Sequence, residues 1–115
     1  MTPGGRLWAT WYSGGAGEGP DNYVLLATSA DRGRTWSKPV QVIDPPSPVR
    51  GYDAVVWCDP RGRLWWFHAQ TYGSWDGRAG VWARVSTNAD DPLPTWSEPR
   101  RIADGIMMNK PTVTR

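Results

Sequence analysis

The sequence predicts an all-β protein built from repeated antiparallel sheets of four strands, and three observations lead to this prediction. Two stretches of the chain repeat one another in the same order. Short aromatic and β-branched runs alternate with turn residues, which is the pattern of strands and tight connections. Gly and Pro, 13 and 11 of the 115 residues, interrupt nearly every window in which a helical period could develop.

Composition indicates a globular protein and excludes several function classes. The chain has room for one small domain, and nine Trp, four Tyr and one Phe are more than a disordered segment carries. A net charge of +2 is far from that of a nucleic-acid-binding surface, and no run is apolar enough to span a membrane. One Cys and one His exclude an internal disulfide and a zinc cluster. We therefore expect no metal and no cofactor.

The repeat defines a unit of 57 to 60 residues. The run from Pro3 to Trp8 recurs 57 positions later, from Pro60 to Trp65, with Gly, Arg and Leu in matching places. The run from Thr35 to Asp44 recurs 60 positions later, from Thr95 to Asp104, because three residues are inserted after Ser86. Two runs in the same order indicate two copies of one structural unit.

Each copy is interpreted as a set of short strands. The segment Leu64-Trp65-Trp66-Phe67 is apolar on both faces, so its sheet must pack between neighbours, as a propeller blade does. Pro39 and Pro99 suit an outer edge strand. The predicted strands are Arg6–Ser13, Tyr23–Ser29 and Trp36–Ile43 in the first copy, and Asp53–Cys58, Arg63–Thr71, Val81–Thr87 and Trp96–Ala103 in the second.

These strands divide the chain into parts of three blades. Residues 1–44 are predicted to supply strands two to four of one blade, residues 45–104 a full blade, and residues 105–115 the start of a third at Lys110–Val113. Two blades cannot close a propeller. We therefore expect a fragment of a longer protein, or a short protein that assembles several copies into one ring. No secretion signal opens the sequence, and the compartment stays open, with secretion or the periplasm as options for a longer protein.

The hairpin after the second strand carries the motif Ser29-Ala30-Asp31-Arg32-Gly33-Arg34-Thr35-Trp36. In such a turn the carboxylate can accept backbone hydrogen bonds, the Gly can adopt positive φ, and the Trp can pack on the sheet. The motif resembles the Asp-box of sialidases and bacterial neuraminidase repeats, Ser-x-Asp-x-Gly-x-Thr-Trp, at every fixed position. The second copy has Ser86 and Thr95-Trp96, with Asp90 or Asp91 in place of the acid. The resemblance implies structural roles for Ser29, Asp31, Gly33, Thr35 and Trp36.

The resemblance implies a sialidase-like β-propeller, six-bladed when complete, with its substrate at the end of the sheets opposite the Asp-boxes. Sialidase sites resemble one another in three Arg that clamp the sugar carboxylate, a Tyr nucleophile assisted by a Glu, and an Asp acid/base. The first Arg belongs to an Arg-Ile-Pro motif that this chain lacks. Asn109-Lys110-Pro111 stands in a comparable place, but a Lys cannot form the bidentate clamp.

Catalytic candidates follow from the loops at that end. Asp53 is a candidate acid/base beside Arg50 and Tyr52, or alternatively a structural Asp that opens a strand. His68 is a candidate base, or alternatively a packed residue between blades. Glu18 and Asp21, in the corresponding loop of the first copy, are further candidate acids. The predicted catalytic residues are Asp53, His68 and Tyr52.

The substrate-binding candidates are aromatic, charged or amide side chains in the same loops. Aromatic rings stack on sugars, and charged and amide groups bind hydroxyls and carboxylates. These candidates are Arg50, Gln70, Tyr72, Trp75, Arg78 and Lys110.

The sequence thus predicts part of a carbohydrate-active enzyme that hydrolyses glycosides of terminal acidic sugars, as an exo-α-sialidase does. Its partners would be a glycan substrate and the missing blades, with no nucleic acid, membrane or cofactor, and the isolated chain is expected to be inactive. Two alternatives stay open, a non-catalytic propeller that binds glycans or proteins, and a polysaccharide lyase on the same fold.

Overall fold

A computed structural model describes residues 1–72 and 77–115 of the chain. Those residues form strands and connections without a helix, and none of them belongs to a helix that could cross a membrane. The strands are β1 (Leu7–Ser13), β2 (Tyr23–Ser29), β3 (Gln41–Ile43), β4 (Arg50–Cys58), β5 (Leu64–Thr71), β6 (Gly80–Ser86) and β7 (Arg100–Asp104).

The strands form two antiparallel sheets, one of three strands in the order β1-β2-β3 and one of four in the order β4-β5-β6-β7. Their order along the chain equals their order in space, which is the meander of a propeller blade. The predicted fold class, antiparallel blades without helices, is confirmed.

The outermost strands are shorter than the sequence predicts. β3 begins at Gln41 rather than at Trp36, and β7 begins at Arg100 rather than at Trp96. Each strand starts after a Pro, which has no N–H for the ladder. Single hydrogen bonds replace the missing pairing, such as that from the Ser37 N–H to the Thr28 carbonyl at 2.9 Å.

A core lies between the two sheets. Trp8, Val24 and Leu26 of the first sheet pack in one cluster with Leu64 and Trp66 of the second. A second cluster, around Phe67, lies on the opposite face of β5, so this strand carries buried apolar side chains on both faces.

Indole hydrogen bonds cross the boundary between the sheets. Trp66 is 0 % exposed, and its Nε1–H donates to the Thr10 hydroxyl at 2.9 Å. The Trp8 Nε1–H donates to the Ala89 carbonyl at 2.9 Å. Both polar atoms of these buried rings are therefore satisfied, so the rings can be buried without leaving an unpaired donor.

The Asp-box forms a closed hydrogen-bonded turn between β2 and β3. The Asp31 carboxylate accepts from the Thr35 hydroxyl at 2.6 Å, the Thr35 N–H at 2.9 Å and the Ser29 hydroxyl at 2.8 Å. These bonds lower the pKa of Asp31 from 3.8 to about 2. Gly33 has a φ of 85°, and Trp36, although half exposed, donates its indole N–H to the Gly33 carbonyl at 3.2 Å.

The second copy of the motif uses a different residue from either predicted one. Asn88, rather than Asp90 or Asp91, accepts from the Ser86 hydroxyl at 2.9 Å and from the Thr95 N–H at 3.0 Å. The inserted residues lengthen the loop between this position and Thr95, so the residue that closes the turn lies further from Thr95 than in the first copy. Asn88 stands 57 positions after the acid of the first copy, which is the repeat offset.

The insertion binds the two sheets together. Asp90 accepts hydrogen bonds from the Thr2 hydroxyl and, at 3.1 Å, from the Gly4 N–H, while its carbonyl accepts from Arg6 Nε at 2.9 Å. A Cβ on Gly4 would lie 2.6 Å from this carboxylate, so a larger residue there would displace the Asp90 side chain. The extra residues of the second copy thus anchor the chain that leads into β1.

The strand register separates two ends of the sheets. Ser29 pairs with Leu7 and Ser86 with Leu64, so both Asp-boxes lie at one end. Arg50 pairs with Thr71 at the other end, which we call the loop end and which carries the connections after β1, β3 and β5. The predicted third-blade strand at Lys110–Val113 is not a strand in the structure, and the division into three blades stays a prediction.

Candidate functional site

Charged and aromatic side chains from two strands and one loop meet at the loop end. We call this group the Arg50 cluster, and its members are Tyr12 of β1, Glu18 of the following loop, and Arg50, Tyr52 and Asp53 of β4.

Asn22 shapes the Gly-rich loop that carries Glu18. Its side-chain amide is buried, donates to the Gly14 and Gly17 carbonyls at 2.7 and 2.9 Å, and accepts from the Gly19 N–H at 2.9 Å. Its carbonyl accepts from the Gly51 N–H at 3.0 Å, which ties the loop to β4. The sequence analysis missed Asn22, although an Asn that closes a Gly-rich loop before a strand is a recognisable turn signal.

Arg50 is a buried cation with little hydrogen bonding. Its side chain is 7 % exposed, and its Cζ lies 4.0 Å from the centroid of the Tyr52 ring. Nη2 is 3.7 Å from Glu18 Oε2, beyond hydrogen-bond distance, and Nε has no partner among the residues described. Tyr12 packs edge-on against Tyr52, and its hydroxyl lies 3.5 Å from Glu18 Oε1. Such a guanidinium retains donors for an incoming anion.

Asp53 occupies an irregular position in β4. The strand begins at Arg50, three residues earlier than predicted, and the register shifts between Tyr52 and Val55. Asp53 has a φ of 44° at this bulge, an unusual conformation for a residue with a side chain. Partial burial raises the pKa of its carboxyl above 3.8, the charge of Glu18 raises it further, and Arg50 opposes both.

Tyr52 lies beneath the guanidinium and is only 3 % exposed. Burial raises the pKa of its phenol above 10, and the charges of Asp53 and Glu18 act in the same direction, while Arg50 opposes them. The ring therefore remains a neutral phenol at neutral pH.

Comparison with known protein families identifies the family to which the chain belongs. The profile of the BNR repeat-like domain matches residues 5–115, which include both sheets and the Arg50 cluster. The chain belongs to the BNR repeat-like domain family. This repeat is found in sialidase-like propellers, so the family suggests a fold family without specifying a reaction. No curated protein matches this BNR repeat-like domain significantly.

His68 of the BNR repeat-like domain is buried in a different environment from the Arg50 cluster, next to Gln70 and Arg84. Trp66 and Leu64, two and four residues earlier on β5, belong to the core between the sheets, and His68 shares their face. The imidazole is 1 % exposed, and its Nε2 is 2.9 Å from Gln70 Nε2. Burial, and to a lesser extent the charge of Arg84, lowers the pKa of His68 from 6.5 to about 4.

A pH-dependent stability should follow from this burial. Between pH 6.5 and about 4 the unfolded chain binds a proton on His68 and the folded chain does not, so stability falls as the pH falls through that window. Between pH 7 and pH 5 we expect His68→Gln to lessen this loss by on the order of 2 kcal/mol. Urea titrations at pH 7 and pH 5 measure it, and because the chain has one His, no other imidazole contributes. Parallel pH profiles for the two proteins would show that His68 is protonated in the folded state.

The loop end also carries three other predicted binding residues, Gln70, Tyr72 and Arg78. Arg78 stacks on Tyr72 with 4.6 Å between Cζ and ring centroid, and both are exposed. Gln70 is half-buried beside His68, and Trp75 lies outside the described residues. Lys110 is exposed, two residues after Met108, which with Met107 and Asp53 lines a cleft of about 250 Å³. The roles of all these residues stay predictions.

A metal site has no support in the described residues. No three His, Cys, Asp or Glu side chains are grouped there as ligands.

Proposed function

We propose that the Arg50 cluster binds the carboxylate of a terminal acidic sugar, and that the protein hydrolyses the glycosidic bond of that sugar as an exo-α-sialidase does. The observation that carries the proposal is the Arg50 guanidinium, buried at the loop end with unfilled donors, next to a carboxyl of raised pKa. The BNR repeat-like family supports this assignment at the level of a sialidase-like fold.

Arg50 would hold the substrate by its carboxylate. Glu18 balances the charge from 3.7 Å, so an incoming carboxylate that reaches hydrogen-bond distance gains a stronger contact than the one it replaces. Tyr52 supports the guanidinium from below, which fixes the direction of its donors. Tyr12 is 37 % exposed and offers an aromatic surface for the sugar. In this proposal Tyr52 is a positioning residue.

Asp53 would act as the acid/base. Its raised pKa increases the fraction of protonated carboxyl, which can donate a proton to the glycosidic oxygen as the bond to the leaving group breaks. Tyr12 and Glu18 form an accessible phenol–carboxylate pair at the same end, which resembles the nucleophile and its helper in sialidases. His68 has no role in the proposal because its ring does not reach solvent.

Binding can be tested on the chain itself with one sugar in two forms. In an NMR titration we expect N-acetylneuraminic acid to shift the signals of the Arg50 cluster, and its neutral methyl ester to bind at least about tenfold more weakly. Arg50→Gln should weaken binding of the acid by a similar factor, because it removes a charge-assisted contact. Arg34→Gln, at the Asp-box end, is the matched control and should bind as the unmodified chain does.

Two results would contradict the proposal. One is equal affinity for acid and ester; the other is unchanged affinity for the acid in a folded Arg50→Gln variant. Arg50→Lys retains the charge without the planar donor pair, so it provides a second test if the Gln variant does not fold.

A further inference from the structure

A second cleft opens between the two sheets, apart from the Arg50 cluster. It has a volume of about 520 Å³, and no member of the Arg50 cluster is among its described lining residues. One wall is the connection from β3 to β4, and the other is formed by β5 and β6. The lining residues that matter here are Asp44, Pro45, Gln70, Tyr72, Trp82 and Arg84.

Arg84 brings an unpaired cation into this cleft. Its side chain is half-buried, its Nε is fully buried without a hydrogen-bond partner, and no ion pair joins it to a carboxylate in the described parts of the chain. Burial lowers the pKa of Arg84, and the more distant charge of Glu98 opposes this shift. A partly desolvated cation without a hydrogen-bond acceptor is unfavourable unless an anion binds to it.

An aromatic surface stands beside that cation. Trp82 and Arg84 alternate with Ala83 along β6, so their side chains share one face of the sheet. Trp82 of β6 pairs with His68 of the neighbouring strand β5. The Gln70 amide, which lines the cleft, is held in place by its hydrogen bond to the buried His68 imidazole. The cleft therefore presents a guanidinium, a preoriented amide and an indole side by side.

We infer that this cleft is a second ligand site, which takes a small organic monocarboxylate with a flat apolar face. The Arg84 guanidinium binds the carboxylate and the Trp82 indole packs against the apolar face. Asp44 at the rim disfavours ligands with more than one negative charge. The same chemistry belongs to a sugar acid and to an aromatic acid, and the inference does not depend on the function proposed for the Arg50 cluster.

The test titrates the chain with benzoate, glucuronate and inorganic phosphate, using benzamide and glucose as neutral counterparts. We expect one of the two carboxylates to shift the NMR signal of the Trp82 indole N–H, with a dissociation constant of about 1–10 mM. The one that does identifies the source as aromatic or sugar. Its neutral counterpart and phosphate should bind at least about tenfold more weakly.

Variants separate this site from the Arg50 cluster. Arg84→Gln should weaken the carboxylate binding reported by the Trp82 indole signal by about tenfold, while Arg50→Gln and the exposed control Arg100→Gln leave the affinity reported by that signal unchanged. The ligand-free Arg84→Gln chain should unfold at the same or a higher urea concentration, because the variant relieves a desolvated charge.

Three outcomes would overturn the inference: no shift at Trp82 with either carboxylate, equal binding of acid and neutral compound, or unchanged affinity in Arg84→Gln. A destabilised Arg84→Gln chain that still binds would assign Arg84 a structural role instead. If Arg84→Gln does not fold, comparing the affinity of each acid with that of its neutral counterpart on the unmodified chain still tests the inference.

Discussion

In the protein encoded by the whole reading frame that contains this chain, Asp53→Asn should lower kcat for an alkyl glycoside of an acidic sugar by about 10²- to 10⁴-fold. An amide has the size of the carboxyl but cannot supply the proton that the leaving oxygen needs. Because Arg50 would still bind the carboxylate in the proposed mechanism, KM should change by less than about threefold. Steady-state kinetics with the purified variant measure both values.

The leaving group provides an internal control for this prediction. A nitrophenolate departs without protonation, so Asp53→Asn should reduce its release far less than that of an alkoxide. Asp91→Asn, at an exposed carboxylate of the Asp-box end, should leave both rates unchanged. If Asp53→Asn lowers both rates equally, or changes neither rate, the carboxyl does not act as the acid. Its role is then to stabilise the bulge of β4.

Trp66→Ala should destabilise the chain by about 3–5 kcal/mol, the largest effect on folding that the structure predicts. The ring is 0 % exposed, lies 5.5 Å from the Trp96 ring between centroids, and donates to Thr10 across the two sheets. Its removal leaves a cavity in the core and takes away the indole donor of the Thr10 hydroxyl, which still donates to the Leu25 carbonyl at 2.8 Å. Because domains of this size have about 5–15 kcal/mol of stability, the variant should be partly or wholly unfolded at 37 °C.

Urea unfolding followed by circular dichroism measures this loss. Trp66→Phe, which keeps an aromatic ring but lacks the N–H, should lie between the Ala variant and the unmodified chain. Trp11→Ala, at a site 41 % exposed, should change stability by less than about 1 kcal/mol. A loss below about 1 kcal/mol for Trp66→Ala would mean that the two sheets do not share the core described here.

The repeated sheets could be predicted from sequence because their determinants are local. Strand period, turn residues and the Ser29-to-Trp36 motif each specify geometry within a few residues, and the repeat offset aligns the copies. The second copy of the motif is harder to recognise in the sequence, since Asn88 replaces the acid and an insertion follows it. The outer strands are shorter than predicted because Pro39 and Pro99, which lie inside the predicted segments, cannot donate hydrogen bonds to the ladder.

The arrangement of the candidate site depends on contacts that sequence does not encode locally. Asp53 sits at a bulge with positive φ, which alternation of residue types cannot reveal. The approach of Glu18 to Arg50 joins a loop after β1 to the start of β4, and Asn22 makes that junction. The burial of His68 follows from the packing of one sheet on the other.

The most direct test of the central claim is hydrolysis by the protein from the whole reading frame of two aryl α-glycosides, one of N-acetylneuraminic acid and one of its methyl ester. We expect turnover of the acid and at least about tenfold lower kcat/KM for the ester, with that preference lost in Arg50→Gln. Binding of the acid without turnover would indicate a glycan-binding propeller, and equal turnover of acid and ester would contradict carboxylate recognition by Arg50.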